Sequence, residues 1–283
     1  MKEDKWVRLW KIIGPPVYYF FIQMVIELVF VISAVFLEIA GIYKENGMIN
    51  NSWAVMNSIQ DAVNNNVSYI TALSALAAII IFGYMFNKDI DKGISTRGIK
   101  TPGTDIFAAS YFAVMLSLAL SSLILSANID NIAGSYEEVA GSLLTGNVVY
   151  RLAVSGVIVP AAEEIIYRGL VYGRALREFG RVGAVLISSA AFGIFHFNLV
   201  QGIYAFLIGI ALAYFYGEYG NLKVSIYMHM AINIVAVLLE YYGIYAIIEK
   251  NAVIKLLAML FEAGMAAYTF NLICKNNDKK RGS

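Results

Sequence analysis

Cysteine, histidine, proline and charge are all scarce in this 283-residue chain, and each scarcity closes off a class of function. The single cysteine, Cys274, permits no internal disulfide, no CxxC motif and no thiolate metal cluster. It reads as a small apolar residue closing a helix. Charged side chains are only 14% of the sequence and the net charge is +1, which excludes a disordered chain and leaves no basic patch for nucleic acid. A GxSxG motif is missing, so there is no nucleophile elbow. An HExxH motif is missing too, so no single helix supplies a zinc site. Neither an internal repeat nor the short alternating strands of a β-barrel can be found.

Apolar length is what the chain has in abundance. It is 59% hydrophobic, against roughly 45–50% for soluble domains. Apolar runs fall at Val17–Tyr43, Val67–Phe86, Ile106–Leu125, Val148–Val171, Val182–Leu199, Ile203–Tyr216, Val224–Tyr242 and Ala252–Cys274. Most approach the ~20 residues that span a bilayer; the first could tilt or extend beyond it and the sixth is short. The fold expected is all-α: a polytopic membrane protein of about eight transmembrane helices enclosing a polar cavity. A single domain over residues 1–283 is expected, with a catalytic core at about 148–242. The first run is too long for a signal-peptide core and reads as a retained span. The segments Lys44–Asn66 and Ser126–Asn147, rich in Asn, Ser and Gly, read as surface loops.

Orientation follows from the basic residues. With the N-terminus cytoplasmic, the inner segments hold 16 of the 21 Lys and Arg residues, among them Arg8, Lys11, Lys88, Arg174, Arg177, Arg181 and Lys280. An even number of spans then places both termini inside, in what is expected to be the cell membrane.

Chemistry concentrates in the fourth run, which carries Glu163, Glu164 and Arg168. Charge inside a span is costly and marks a functional site. Glu164 and Arg168 are four apart, share a helix face and are expected to pair. Glu163 points about 100° away, toward Tyr167, and is left as the unpaired acid suited to a general base. Pro160 removes a backbone donor and would leave the Gly156 carbonyl free, loosening the helix beside these acids. The only two histidines, His196 and His229, follow at intervals of 33 residues, each in an apolar segment. His196 shares a face with Phe192, and His229 with Asn233. His229 and Asn233 can both donate toward one point, as stabilisers of an oxyanion must. The bland alternatives are a helix-tying ion pair, a satisfied core histidine and an interhelical polar clasp. Measured along the helices, Glu163 lies roughly 16 Å, His229 roughly 9 Å and His196 roughly 22 Å from the inner surface, all within the membrane. Ser188-Ser189, Gly209 and Ala213 read as close-packing positions between helices. Tyr18-Tyr19 and Tyr241-Tyr242 read as interfacial anchors. Glu27 and Glu38 in the first run could face a polar cavity, and Glu262 with Lys255 a groove.

The runs Glu163-Glu164-Ile-Ile-Tyr-Arg168, Phe192-x-x-x-His196 and His229-x-x-x-Asn233 resemble the three signature motifs of the CPBP family. That family contains the CAAX prenyl endopeptidases of the Ras-converting type and the bacterial Abi proteins. The resemblance covers roughly residues 150–240. It implies an intramembrane endopeptidase in which Glu163 and His196 activate a water, His229 and Asn233 stabilise the oxyanion, and Glu164 and Arg168 support them. Members of the family have been described both as metalloproteases and as metal-free glutamate proteases. A zinc site would have to draw on Glu163, His196 and His229 from separate helices. Asn233 suits oxyanion binding better than zinc ligation, so no cofactor is expected. The substrate class implied is a hydrophobic, membrane-embedded or lipid-anchored peptide. The competing reading is a non-proteolytic scaffold or peptide-binding protein that uses the same polar cluster.

Overall fold

The computed structural model of the protein describes residues 4–45, 52–96, 98, 101–126 and 147–282. Among them every regular element is helical. Helices α1 (Lys5–Glu45), α2 (Ser52–Asp91) and α3 (Gly103–Ser126) are followed by α4 (Val148–Ala153), α5 (Val159–Glu164) and α6 (Gly173–Ile194). Then come α7 (Leu199–Tyr219), α8 (Leu222–Tyr241), the short α9 (Ile244–Glu249) and α10 (Ala252–Gly282). Six of the described helices are long and apolar enough to cross a membrane. The all-α, polytopic architecture expected from the apolar runs is therefore the one observed.

The fourth and fifth apolar runs, continuous from Val148 to Ile194, form two helical segments that meet in a break at Gly180. Gly180 has φ 68° and ψ −175°, a region open to glycine and closed to residues with a Cβ. Residues 52–66, read as loop, lie in α2: they contain neither Gly nor Pro, so nothing in them stops a helix. The other segment read as loop, between Ser126 and Asn147, lies outside the described residues.

Two further boundaries depart from the apolar pattern. The fifth run was expected to reach Leu199, yet α6 ends at Ile194 and His196 lies in the turn that follows. Asn198 explains the break, because its side chain accepts the Gln201 N–H at 3.0 Å and starts α7 there. Phe197, between them, takes the left-handed φ of 53°. Asn221 starts α8 in the same way, accepting from Lys223 N–H at 3.0 Å.

Proline does not stop α1, which runs through Pro15 and Pro16. Pro15 has no N–H to give the Lys11 carbonyl one turn back. Arg174 Nη1 donates to that carbonyl at 2.6 Å instead, tying α1 to α6. The same end of the bundle holds the ion pairs Arg174–Asp89 at 2.6 Å, Arg8–Glu178 at 2.6 Å and Arg181–Glu218. Arg177 adds a bond to the Gly93 carbonyl at 2.5 Å. Further in, Ser122 donates to Glu262 at 3.2 Å and joins α3 to α10.

Apolar packing falls into two clusters. One gathers α1, α2, α5 and α6 around Phe82, Ile166, Leu170 and Val171. The other gathers α3, α7, α8 and α10 around Leu212, Phe215, Val224 and Met228. The helical stretch after Val148 contributes to the first and packs against α8 of the second. Ser188 and Ser189 are fully buried, and a Cβ on Gly209 would stand 3.2 Å from Ser189 Cα, so these small residues do let α6 and α7 pack closely.

The tightest approach to another backbone atom is at Gly193, where a Cβ would stand 2.6 Å from the Gly202 carbonyl oxygen. Gly193→Ala is expected to force α6 from α7 and cost about 1–3 kcal/mol. Thermal unfolding of the purified protein in detergent measures this. Gly264→Ala, with nothing within 4 Å of the new Cβ, is the control that should not lower the midpoint.

Candidate active site

The two glutamates sit on a helix with an altered register. π-Helical turns at Val154–Ile158 and Ile165–Tyr172 flank α5 on either side. Such turns insert a residue into the helical pitch and re-aim the side chains that follow. Val159 N–H bonds the Val154 carbonyl, five residues back. In that register the carbonyl that Pro160 leaves without a donor is that of Ser155, not Gly156 as ordinary helical spacing suggests. Asn233 Nδ2 donates to the Ser155 carbonyl at 2.9 Å. Gly156 instead permits close contact, since a Cβ there would be 3.0 Å from Ile234 of α8.

Glu164 and Arg168 pair as their spacing predicts, with Nη1 to Oε1 at 2.8 Å, and both side chains are fully buried. Arg168 Nη2 donates to the Gly209 carbonyl of α7 at 3.1 Å. The guanidinium also lies over the Phe192 ring, 4.6 Å from its centre. Glu164 Oε1 is 3.0 Å from His229 Nδ1. A carboxylate held by arginine can only accept, so His229 donates from Nδ1. Its other nitrogen, Nε2, is 3.7 Å from Glu163 Oε2. His229 thus stands between the paired acid and the free one.

Glu163 points the other way, as expected from its position one residue before the pair. Its side chain is 16% exposed, against none for Glu164. It lines a cavity of about 60 Å³ together with Tyr167, Phe195 and His196 from the core and Pro16, Tyr19, Phe20 and Gln23 from α1. His196 Nδ1 is 2.6 Å from the Phe192 carbonyl. A carbonyl only accepts, so Nδ1 carries the hydrogen; Nε2 of the neutral ring is left with its lone pair. The Phe192 ring packs edge-on against both histidines, 4.8 Å from His196 and 5.5 Å from His229.

The structure therefore sets Arg168, His196 and His229 against Phe192, with Glu164 joining Arg168 to His229 and Glu163 sharing the cavity with His196. Asn233 is on the His229 side and does not line the cavity. One of its two amide hydrogens is committed to Ser155, which leaves the other. The α1 wall of the cavity was missed in the sequence. Gln23, a lone carboxamide in an apolar run one turn before Glu27, was the available signal. Tyr19 was read as an interfacial anchor, yet it is only 6% exposed and lines the cavity, whereas Tyr18 is 43% exposed and accepts a hydrogen bond from Trp10 at 2.8 Å.

A zinc ion would need Glu163, His196 and His229 to converge. Among the described residues no group of three or more His, Cys, Asp or Glu side chains is arranged to hold a metal. The Nδ1 atoms of His196 and His229 face a backbone carbonyl and a glutamate, which leaves each Nε2 unengaged by these bonds.

Comparison with known proteins supports the motif reading. Residues 145–235 match the family described as type II CAAX prenyl endopeptidase, Rce1-like. That segment of the chain is similar to the CAAX-type proteases, in agreement with the motifs. Over 93 residues, 33% of the chain, it is 30% identical to YdiL of Bacillus subtilis (strain 168), described as a candidate membrane peptidase. That match spans 38% of the relative's length. No solved structure matches. The matched segment contains all six of these side chains, while the α1 wall of the cavity lies outside it.

Removing one member of a buried ion pair strands the other, at a cost of about 3–5 kcal/mol. Glu164→Gln is expected to lower the unfolding temperature and the yield of monodisperse protein sharply. Glu163→Gln, at the cavity wall, is expected to leave both near wild type. Melting curves and size-exclusion profiles of the two variants check the contrast.

Proposed function

We propose that the protein is an intramembrane endopeptidase, hydrolysing a peptide bond in a hydrophobic, membrane-embedded or lipid-anchored substrate. One observation carries the reading: Glu163 of α5 and His196 after α6, the free acid and the ring with an available lone pair, wall the same small cavity. The match of residues 145–235 to the CAAX prenyl endopeptidase family supports the same reading.

A volume of about 60 Å³ holds the attacking water with room to spare, since ~10–15 Å³ suffices for one. Glu163 takes a proton from that water as its oxygen attacks the scissile carbonyl carbon, and His196 Nε2 accepts the second O–H and aims it. The carbonyl oxygen becomes an oxyanion. At 3.7 Å from Glu163, His229 Nε2 is outside hydrogen-bond distance and, when protonated, is a donor available to that charge. The remaining Asn233 N–H is the second donor. The proton held by Glu163 then passes to the amide nitrogen as the C–N bond breaks, giving an acid and an amine. Glu164 and Arg168 position His229 and touch no reacting atom. No step uses a metal.

The basic ends of α1, α2 and α6 meet in one ion-pair cluster, which supports placing that end in the cytoplasm. With an even number of crossings both termini lie there, in the cell membrane.

Cleavage of hydrophobic peptides by the purified protein is expected to fall by about 10³-fold or more in Glu163→Gln, whose amide cannot act as a base. Peptide fragments are read by mass spectrometry. A wild type that binds such peptides and cleaves none of them would return the cluster to a scaffold role. Zinc chelators are expected to leave the rate unchanged; loss with chelator and recovery with zinc would overturn the metal-free mechanism.

A further inference from the structure

Glu27 is a carboxylate in the middle of an apolar stretch of α1, Lys5–Leu37, that qualifies as a membrane span. Charge in that setting marks function. Among the described residues no hydrogen bond or ion pair engages it, so the fold does not use it as a tie. It lines a second cavity, of about 250 Å³, between α1 and α2. The walls are largely apolar, with Gln23, Thr71 and Ser74 as further polar groups.

This cavity adjoins the candidate active site. Phe20 and Gln23 line both spaces, and Phe197, next to His196, lines the larger one. The Phe20 and Phe197 rings stand 5.0 Å apart at the junction. Gln23 and Glu27 are one turn apart, roughly 6 Å along α1. An extended peptide covers about 3.3 Å per residue, so that distance is about two residues.

We propose that the α1–α2 groove is the substrate channel, and that Glu27 selects a lysine or arginine side chain two or three residues from the scissile bond. This rests on the protease reading of the adjoining cavity. An apolar peptide fits the walls, and its one cation neutralises a carboxylate that has no partner of its own. A substrate with Asp or Glu at the same place is repelled.

The test uses the full-length protein in nanodiscs and three fluorescent 16-residue Leu/Ala peptides, identical except for Lys, Gln or Glu at one central position. Binding is measured in the Glu163→Gln background, where nothing is cut, and cleavage sites are mapped with wild type. The Lys peptide is expected to bind about tenfold tighter than the Gln peptide. Adding Glu27→Gln should bring the two together, and Glu27→Lys should favour the Glu peptide. Wild type should cut the Lys peptide two or three residues from the lysine. Equal binding of the three peptides, or a preference that survives both Glu27 changes, overturns the proposal. Glu163-dependent cleavage without the Glu27-dependent preference leaves the protease standing and removes the channel. The preference without cleavage does the reverse, keeping the cation-selective groove and removing the protease.

Discussion

A guanidinium with no water around it has to be met on every side by protein, and in this bundle that demand decides where four helical segments stand. Arg168 takes Glu164 from its own helical stretch, the Gly209 carbonyl from α7 and the Phe192 ring from α6. Glu164 passes the constraint on by accepting from His229 of α8. The pair is a poor source of net stability, since desolvating two ions offsets much of their attraction. Its value is geometric: His229 has one low-energy place to be, with Nε2 toward Glu163.

Two neighbouring acids thus do different work. Glu164 is enclosed and matched to a cation, so it serves as an anchor. Glu163 is one residue away in sequence and opens onto a cavity, with no Lys or Arg paired to it among the described residues. A helix turns by about 100° per residue, so adjacent side chains meet different surroundings whenever the helix is packed on several sides. The ion pair holds the cluster together, and in the proposed mechanism its neighbour exchanges a proton.

Proline supplies a second ordering device. Within lipid an unpaired carbonyl is costly, so each carbonyl a proline orphans calls for a donor from elsewhere. Pro15 orphans the Lys11 carbonyl, which Arg174 bonds; Pro160 orphans the Ser155 carbonyl, which Asn233 bonds. The first bond sets α1 against α6 and so brings the wall of Pro16, Tyr19, Phe20 and Gln23 up to Glu163. The second holds α8 beside the π-turn. Loose points in single helices become the joints between helices.

Sequence by itself determined the helical membrane class, because apolar length and composition are local properties. It also determined the Glu164–Arg168 pair and the freedom of Glu163, because both follow from helical periodicity within a few residues. Only the tertiary structure decided which carbonyl Pro160 releases, that His196 lies in a turn, that Asn233 is tied to Ser155, and that α1 walls the cavity. The π-turns shift the register by one residue, and no propensity marks them. The α1 contacts join residues more than 130 positions apart, and those depend on how the helices pack, which periodicity along one helix cannot express.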